Sequence, residues 1–325
     1  MTVSFLISKY DEARRAGEVD DWTSHGDIGR SFDGRVLTVE EYLRTEDLYA
    51  SAVAALADAV GADGFEMRNI ILNEPAPPWL GSVYDGKVID VATTLRLVRE
   101  MLRHGSISCS LEYGDLLSIA VETDFYLSAD IDSEAVGSLA RVERLGLHTV
   151  RVQSWRYDDE WTALVSRPAD HGFWEEVAAG IDRVPSMAVV LERWAQGRYG
   201  YRWHLVENGD LAPVAASVVP QSLVTVFFSP EIQWVARGDL HQAVGSAMDD
   251  SLVVIFSRPI AGVEGGALRT ITCGEGVPIP DASELPPGGE LGVFTWPDED
   301  ASPYRAVVPG PGGEIVARWE EPTRI

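Results

Sequence analysis

Residues 106–132 constrain the fold more strongly than any other part of the chain. The runs SISCSLEY, LLSIAVE and FYLSADI alternate apolar and polar residues, and only Gly114-Asp115 and Thr123-Asp124 separate them. Such short connections join antiparallel neighbours, because parallel strands need a crossover of about a dozen residues or more. The segment therefore predicts an antiparallel meander and argues against a doubly wound parallel sheet, which requires strict alternation of strands and helices.

Helical patterns flank this meander. Thr38 and Glu41 form a capping box before an apolar-faced helix, for which Gly61 is a suitable C-terminal stop. Asp90 and Gly105 delimit a second helix in the same way. A third helix is predicted at about 133–145, and strands at 2–8, 65–73 and 147–155. Together these elements predict an α+β fold, with a mixed or largely antiparallel sheet and helices packed on one face.

A chain of 325 residues exceeds the usual size of one hydrophobic core, so two domains are expected. Polarity and proline content rise near 163–171, which places the domains at 1–162 and 163–325. The first is predicted to be an α+β domain with a mixed sheet and three helices. The second is predicted to be more β-rich, with short helices at 173–181 and 185–196. Its Pro/Gly-rich C-terminal segment is expected to end in a hairpin over 305–319.

Charge is the one unusual feature of the composition. Acidic residues number 51 and basic residues 26, which gives a formal net charge of -25, and both predicted domains share the excess. Such a surface repels phosphate backbones at long range, so we expect no nucleic-acid partner. Lysine occurs only at Lys9 and Lys87, against 24 arginines. This bias fits a GC-rich coding sequence, and no function is assigned to it here.

The sequence also bears on the compartment. The two cysteines, Cys109 and Cys273, lie too far apart to suggest a disulfide framework, so reduced thiols are expected. The first residues do not have the pattern of a signal peptide, and no apolar run approaches the length of a membrane span. The expectation is a soluble, cytoplasmic protein with no membrane association.

Strong catalytic signatures are absent from the sequence. The best enzymatic candidate is the long loop at 22–35, where His25, Asp27 and Arg30 offer acid–base groups and a cation. A solvated loop with glycine turns explains the same residues more simply. No catalytic residue is therefore expected, and a hydrolase or transferase with a site at this loop and the inter-domain cleft is the alternative. Neither a cofactor nor a metal site is predicted, because the aspartates near His241 fit turn positions.

Carboxylates recur at the strand ends of the meander, and aromatic and acidic residues cluster just after it. An acidic rim beside an aromatic cluster would suit a basic protein partner, since aromatics anchor interfaces and carboxylates steer association. The predicted partner-binding residues are Glu112, Asp115, Glu122, Asp124, Trp155, Tyr157, Asp158, Asp159 and Trp161. The expected function is an acidic cytosolic binding or regulatory protein, with the character of an immunity protein that neutralises a toxin or of a nucleic-acid mimic. No oligomeric state is predicted.

The stretch RYGYRWHL (198–205) alternates aromatic and basic side chains. Read as a strand, it places Arg198, Arg202 and His204 on one face. The opposite face, predicted to be the core face, contains Tyr199, Tyr201, Trp203 and Leu205. A nucleic-acid stacking platform would need the aromatic residues exposed and a positive surrounding field. An internal salt-bridge network is expected at the basic face, with an anionic ligand as the alternative.

Overall fold

The computed structural model describes residues 2–17, 20–153, 165–183, 187–207, 209–247, 253–257, 269–273, 290–297 and 302–319. The chain divides into two compact units. The first comprises Met1–Thr162 together with Trp194–Gly200 and Val316–Arg318, and the second comprises Ala163–Arg193, Tyr201–Ile315 and Trp319–Ile325. The sequence places a boundary at the same point, but it assigns both short segments to the second domain.

The first unit is built on one antiparallel sheet. The strands of this unit are β1 (Thr2–Ser8), β2 (Ser31–Phe32), β3 (Arg35–Val36), β4 (Gly64–Leu72), β5 (Lys87–Asp90), β6 (Ile107–Tyr113), β7 (Leu117–Val121), β8 (Tyr126–Asp132) and β9 (His148–Val152). β2 and β3 pair only with each other, as a separate two-stranded sheet. Its helices are α1 (Glu12–Arg15), α2 (Val39–Val60), α3 (Val91–His104) and α4 (Leu139–Arg144). The main sheet has the order β5-β4-β6-β7-β8-β1-β9, and all its strand pairs are antiparallel. The predicted meander is confirmed as β6, β7 and β8.

Local capping sets the ends of the two long helices. The Thr38 side chain accepts a hydrogen bond from the Glu41 amide at the start of α2, and Gly61 ends the helix with φ 70°. The Asp90 side chain accepts from the Thr93 amide before α3, and Gly105 ends that helix with φ 58°. A left-handed residue at the helix end suits glycine, which has no Cβ to clash with the backbone.

The two faces of the main sheet differ in chemistry because alternate strand residues point in opposite directions. One face packs against the helices and contributes apolar residues to the core: Phe5, Ile7, Met67, Leu111, Leu117, Ile119, Leu127 and Ile131. The strand registers place a second set on the other face, namely Ser4, Ser110, Ser118, Ala120, Ser128 and Asp130, and the same face also includes Leu6, Glu66, Arg68 and Glu112. We call this second set the serine face. Ser4 is buried, and the other members are half-buried.

The second unit contains two four-stranded antiparallel sheets. Its strands are β10 (Met187–Arg193), β11 (Tyr201–Glu207), β12 (Leu223–Phe228), β13 (Gln233–Val235), β14 (Val253–Ser257), β15 (Arg269–Cys273), β16 (Leu291–Thr295) and β17 (Arg305–Val307). Its helices are α5 (His171–Arg183), α6 (Ala212–Ser217) and α7 (Leu240–Ala247). The sheet orders are β11-β10-β12-β17 and β13-β16-β14-β15. The α+β class and the greater β content of this half match the prediction.

Three apolar clusters arrange the second unit in layers. The first sheet packs one face against α5 and α6 through residues such as Val190 and Phe173. The second sheet packs one face against α7, and Val244 and Ile255 belong to the apolar cluster between them. The remaining faces meet each other in a third cluster, formed by Val189, Leu191, Trp203, Val254, Phe256 and Phe294. The order of layers is therefore helix, sheet, sheet, helix.

The prediction of a helix at 185–196 is wrong, because Met187–Arg193 forms the strand β10. This strand is hydrogen-bonded to β11 on one side and to β12 on the other. Ala188 and Val190 face the helices, while Val189 and Leu191 face the second sheet. A strand buried on both faces has no apolar–polar alternation, so its periodicity cannot be distinguished from that of a buried helix.

The C-terminal hairpin predicted over 305–319 is also wrong. The turn forms, since the Gly310 amide donates to the Glu314 carbonyl at 2.8 Å. However, β17 pairs with β12, and 308–319 contains no strand. The Val316 carbonyl instead accepts a hydrogen bond from the Arg68 guanidinium of the first unit's sheet, and Val316 belongs to that unit.

Trp203 provides a test of the contact between the two sheets of the second unit. Its side chain is 3% exposed and meets Phe294 and Trp296 edge to face at ring-centroid distances of 5.6 and 4.8 Å. Trp203→Ala should lower the free energy of unfolding by about 3–5 kcal/mol, because it leaves a large cavity.

The control for this prediction is aromatic and lies in the same stretch. Tyr199 is 39% exposed, so Tyr199→Ala should cost only about 0.5 kcal/mol. Trp203→Phe should cost less than half as much as Trp203→Ala, because the indole N–H of Trp203 meets no acceptor among the described residues. Urea unfolding of the three variants tests the ranking, and equal losses for Trp203→Ala and Tyr199→Ala would contradict it.

Candidate functional site

Asp27 is bound within its own loop. The loop makes a short 3-10 turn over His25–Asp27, and the buried Asp27 carboxylate accepts hydrogen bonds from the Thr23 and Ser24 amides at 3.0 and 3.1 Å. Its other oxygen lies 2.5 Å from the Arg30 guanidinium. Burial by itself raises the pKa of Asp27, but these hydrogen bonds together outweigh burial and hold it below the ordinary value. The carboxylate therefore organises the turn.

His25 and Arg30 do not converge with Asp27 on a pocket. The His25 ring packs edge-on against Tyr42, with ring centroids 5.0 Å apart. The Arg30 side chain is 70% exposed. The same loop does line a cleft, described below, but it does so through other residues. The geometry gives no support to a catalytic role for this set.

The predicted acidic rim does not form as one surface. Glu112 is buried, and its carboxylate lies 3.7 Å from the Arg318 guanidinium. Asp115 is exposed in the turn before β7, whereas Glu122 and Asp124 are exposed after it. Five residues of strand separate these two positions, roughly 17 Å. Trp155, Tyr157, Asp158, Asp159 and Trp161 lie outside the described residues.

Two carboxylates reach the serine face of the main sheet. The Ser4 hydroxyl donates a hydrogen bond to Asp130, and the Ser128 hydroxyl donates to Glu122 at 2.7 Å. Within the described part of the chain, neither carboxylate forms an ion pair. Asp130 was not among the predicted partner-binding residues. The alternation of β8 contained the signal that could have identified it, because Asp130 lies on the opposite face from Ala129 and Ile131.

Buried carboxylates, in contrast, have arginine partners. Glu46 on α2 is 1% exposed, and Arg103 of α3 donates two hydrogen bonds of 2.5 Å to it. Asp85 is buried and lies 3.0 Å from the Arg68 guanidinium. A buried carboxylate without a cation would be strongly destabilising, so these pairs use cations that are scarce in this chain.

The basic face of RYGYRWHL contains the salt-bridge network that alternation suggested, centred on Glu192. The Glu192 side chain is fully buried on β10 and contacts Arg202 and His204 of β11, with His204 Nε2 at 3.0 Å. The Val219 amide donates to its other oxygen at 2.5 Å. Arg198 lies outside this network, in the Trp194–Gly200 segment, beside the ring of its neighbour Tyr199. Because Glu192 already provides the negative charge, Arg202 and His204 do not form a free anion site.

Hydrogen bonding controls the protonation of Glu192. Burial favours the neutral acid and would raise its pKa. The hydrogen bonds from His204, the Val219 amide and Arg202 favour the carboxylate and outweigh burial, so the pKa of Glu192 lies below its ordinary value of 4.5.

A cleft that the sequence did not indicate surrounds Lys9, at the end of β1. Its volume is about 340 Å³, and its lining includes Lys9, Trp22 and Arg35. The Lys9 side chain is only 10% exposed, and its Nζ lies 3.5 Å from the centre of the Trp22 ring and 3.1 Å from Asp21. Burial lowers the pKa of Lys9 to about 8, and the nearby Asp21 carboxylate only partly offsets this effect.

The other lysine has a clear structural role. The Lys87 ammonium donates hydrogen bonds to the Leu80 and Ser82 carbonyls, the second at 2.6 Å, and so closes the loop before β5. Lys9 has the Asp21 ion-pair contact, but its Nζ meets no well-aligned hydrogen-bond acceptor among the described residues. The two lysines therefore have different structural environments, a difference that composition alone does not show.

Glu192 gives a prediction about stability and pH. Glu192→Gln should lower the free energy of unfolding at neutral pH by about 1–3 kcal/mol, because Arg202, His204 and the Val219 amide lose a charged acceptor, while Arg202 is 38% exposed and stays solvated. Since the folded-state pKa is depressed, the contribution of Glu192 is present above the unfolded value of 4.5 and is lost as the pH falls through the folded value. The difference in the free energy of unfolding between wild type and variant should therefore become smaller as the pH falls below about 4.5.

Glu176 provides the matched control, because its side chain is 60% exposed and pairs with Arg167. Glu176→Gln should change stability by less than about 0.5 kcal/mol. Urea titrations at neutral and acidic pH test both variants. If the difference in the free energy of unfolding between wild type and Glu192→Gln stays constant on acidification, the depressed pKa assigned to Glu192 is contradicted.

No group of three or more His, Cys, Asp or Glu side chains within the described ranges is arranged to hold a metal ion. None of the helices there has the length and apolar character needed to cross a lipid bilayer. No protein-family model matches the sequence, and no curated protein or solved structure is significantly similar to it.

Proposed function

We propose that this chain is an acidic binding protein that acts in the cytoplasm and engages a basic protein partner through the serine face of its first unit. The proposal is carried by the unequal distribution of cations. Glu46, Asp85 and Glu192 are buried beside arginines, whereas Asp130 and Glu122 at the serine face have, among the described residues, only serine hydroxyls as side-chain partners. A basic partner would supply the missing positive charge.

The shape of the serine face suits such a partner. The residues of β7 and β8 on this face, Ser118, Ala120, Ser128 and Asp130, have short side chains, so an opposing surface can approach the backbone of these two strands closely. Ser118 and Ser128 can hydrogen-bond the arginine or lysine groups that reach the two carboxylates. The net charge of -25 adds a long-range field that raises the rate of encounter with a basic protein.

The class of partner follows from this charge pattern. A protein that binds nucleic acid presents a basic groove, and an acidic surface that fits the groove can block it by replacing the phosphates. This is the action expected of an immunity protein directed against a nucleic-acid-degrading toxin, or of a nucleic-acid mimic. Direct binding of nucleic acid is unfavourable for the same electrostatic reason.

The test removes two charges from the serine face while preserving its shape. The wild-type chain is immobilised, basic proteins retained from a lysate at low salt are identified, and the affinity of the purified candidate is measured by calorimetry. The double variant Asp130→Asn, Glu122→Gln should weaken binding by about tenfold or more, mostly at low salt.

The control is a double variant with the same net charge. Glu40 and Glu74 are exposed acids on other parts of the first unit, and Glu40→Gln, Glu74→Gln should leave the affinity unchanged within about twofold. Equal affinities for the two double variants would overturn the role of the serine face. Failure to retain any basic protein at low salt would overturn the proposed function itself.

A further inference from the structure

The cleft around Lys9 is lined by three cations, Lys9, Arg14 and Arg35, and by four carboxylates, Asp20, Asp21, Asp33 and Glu41. Asp21 lies 3.1 Å from Lys9 and also 3.3 Å from Arg14, so two cations share one carboxylate. Arg35 lines the same cleft, and no carboxylate among the described residues lies within ion-pair distance of it. A volume of about 340 Å³ accommodates a small organic molecule.

The choice of lysine at this position is informative. The chain has 24 arginines, and arginine fills the cationic positions of the buried ion pairs described above. An arginine side chain stays protonated at every physiological pH, whereas a desolvated lysine can lose its proton and become a nucleophile. Lys9 is 10% exposed, and it packs over the Trp22 ring. Burial disfavours the protonated amine, whereas the Trp22 ring and Asp21 favour it, and burial is the larger effect.

We propose that Lys9 forms an imine with a small carbonyl compound that carries a carboxylate, such as a 2-oxo acid, bound in this cleft. Arg35 would hold the carboxylate, and Trp22 would shield the reacting amine from water. The inference does not depend on the proposed partner, because it concerns a different surface of the first unit.

The reaction needs no oxidant or reductant. The neutral Lys9 nitrogen attacks the carbonyl carbon, and the C=O electron pair moves to oxygen, which takes a proton. The nitrogen gives up a proton, for which Asp21 at 3.1 Å is the nearest acceptor, and a carbinolamine forms. The hydroxyl then leaves as water with a second proton as the C=N bond forms, and the nitrogen releases its remaining proton to give the neutral imine. One amine and one carbonyl compound give one imine and one water.

The charged groups around the amine determine its pH dependence. Burial lowers the pKa of Lys9 most, and the positive Arg14 on α1 lowers it further. Asp21 in the following loop and Glu41 at the start of α2 act in the opposite direction. Since the net result is a pKa of about 8, the reactive neutral amine becomes the main form as the pH rises through that value.

The test traps the imine chemically. The full-length protein is incubated with glyoxylate and cyanoborohydride, and peptide mass spectrometry measures the rate at which each lysine becomes a secondary amine. Lys9 should react about tenfold faster than Lys87, whose ammonium is bound by two carbonyls. The Lys9 rate should rise through about pH 8. Equal rates at the two lysines would overturn the proposal.

A variant and a second probe test the carboxylate. Arg35→Gln should slow the labelling of Lys9 by glyoxylate about tenfold, and it should not change labelling by glycolaldehyde, which has no charge. Arg35 is exposed, so the variant should fold normally, and circular dichroism checks this. If glycolaldehyde labels Lys9 as fast as glyoxylate does and Arg35→Gln changes neither rate, the carboxylate-bearing class is excluded.

Discussion

The cost of burying a carboxylate is the constraint on which much of this structure depends. Desolvating an ionised acid is expensive unless a cation and several hydrogen bonds compensate it, and this chain has about twice as many acids as bases. Two of its buried acids lie where separate elements meet. Glu46 joins α2 to α3 through Arg103, and Glu192 joins β10 and β11 to the turn before β12. In both cases an arginine provides the opposing charge.

The same constraint shapes the surface. Each arginine that neutralises an internal acid no longer offsets an exposed one, so negative charge accumulates at the exterior. The serine face shows the consequence locally, since Asp130 and Glu122 accept hydrogen bonds from neutral hydroxyl groups. A hydroxyl can satisfy a carboxylate's hydrogen bonding without neutralising its field, which leaves the field able to act on a partner.

Local rules predicted a large part of the fold. The meander and the caps of α2 and α3 depend on residues close in sequence, so turn and capping chemistry sufficed to identify them. The predictions that were wrong concern positions determined by contacts between residues distant in the sequence. β10 is buried on both sides and shows no alternation, and the position of Glu112 depends on Arg318, far along the chain. The alternation of RYGYRWHL indicated a charged network, but alternation gives no information about which acid, here Glu192, would complete it.

Lys9 shows why composition can hide a candidate site. A scarcity of lysine is explained by coding bias, and that explanation treats every lysine alike. The structure separates them: the Lys87 ammonium binds two carbonyls of its own loop, while Lys9 is held over an aromatic ring in a cleft. Coding bias predicts arginine wherever only a positive charge is required. A buried lysine that closes no loop therefore indicates a position where the ability to lose a proton, or a compact head group, matters more than charge.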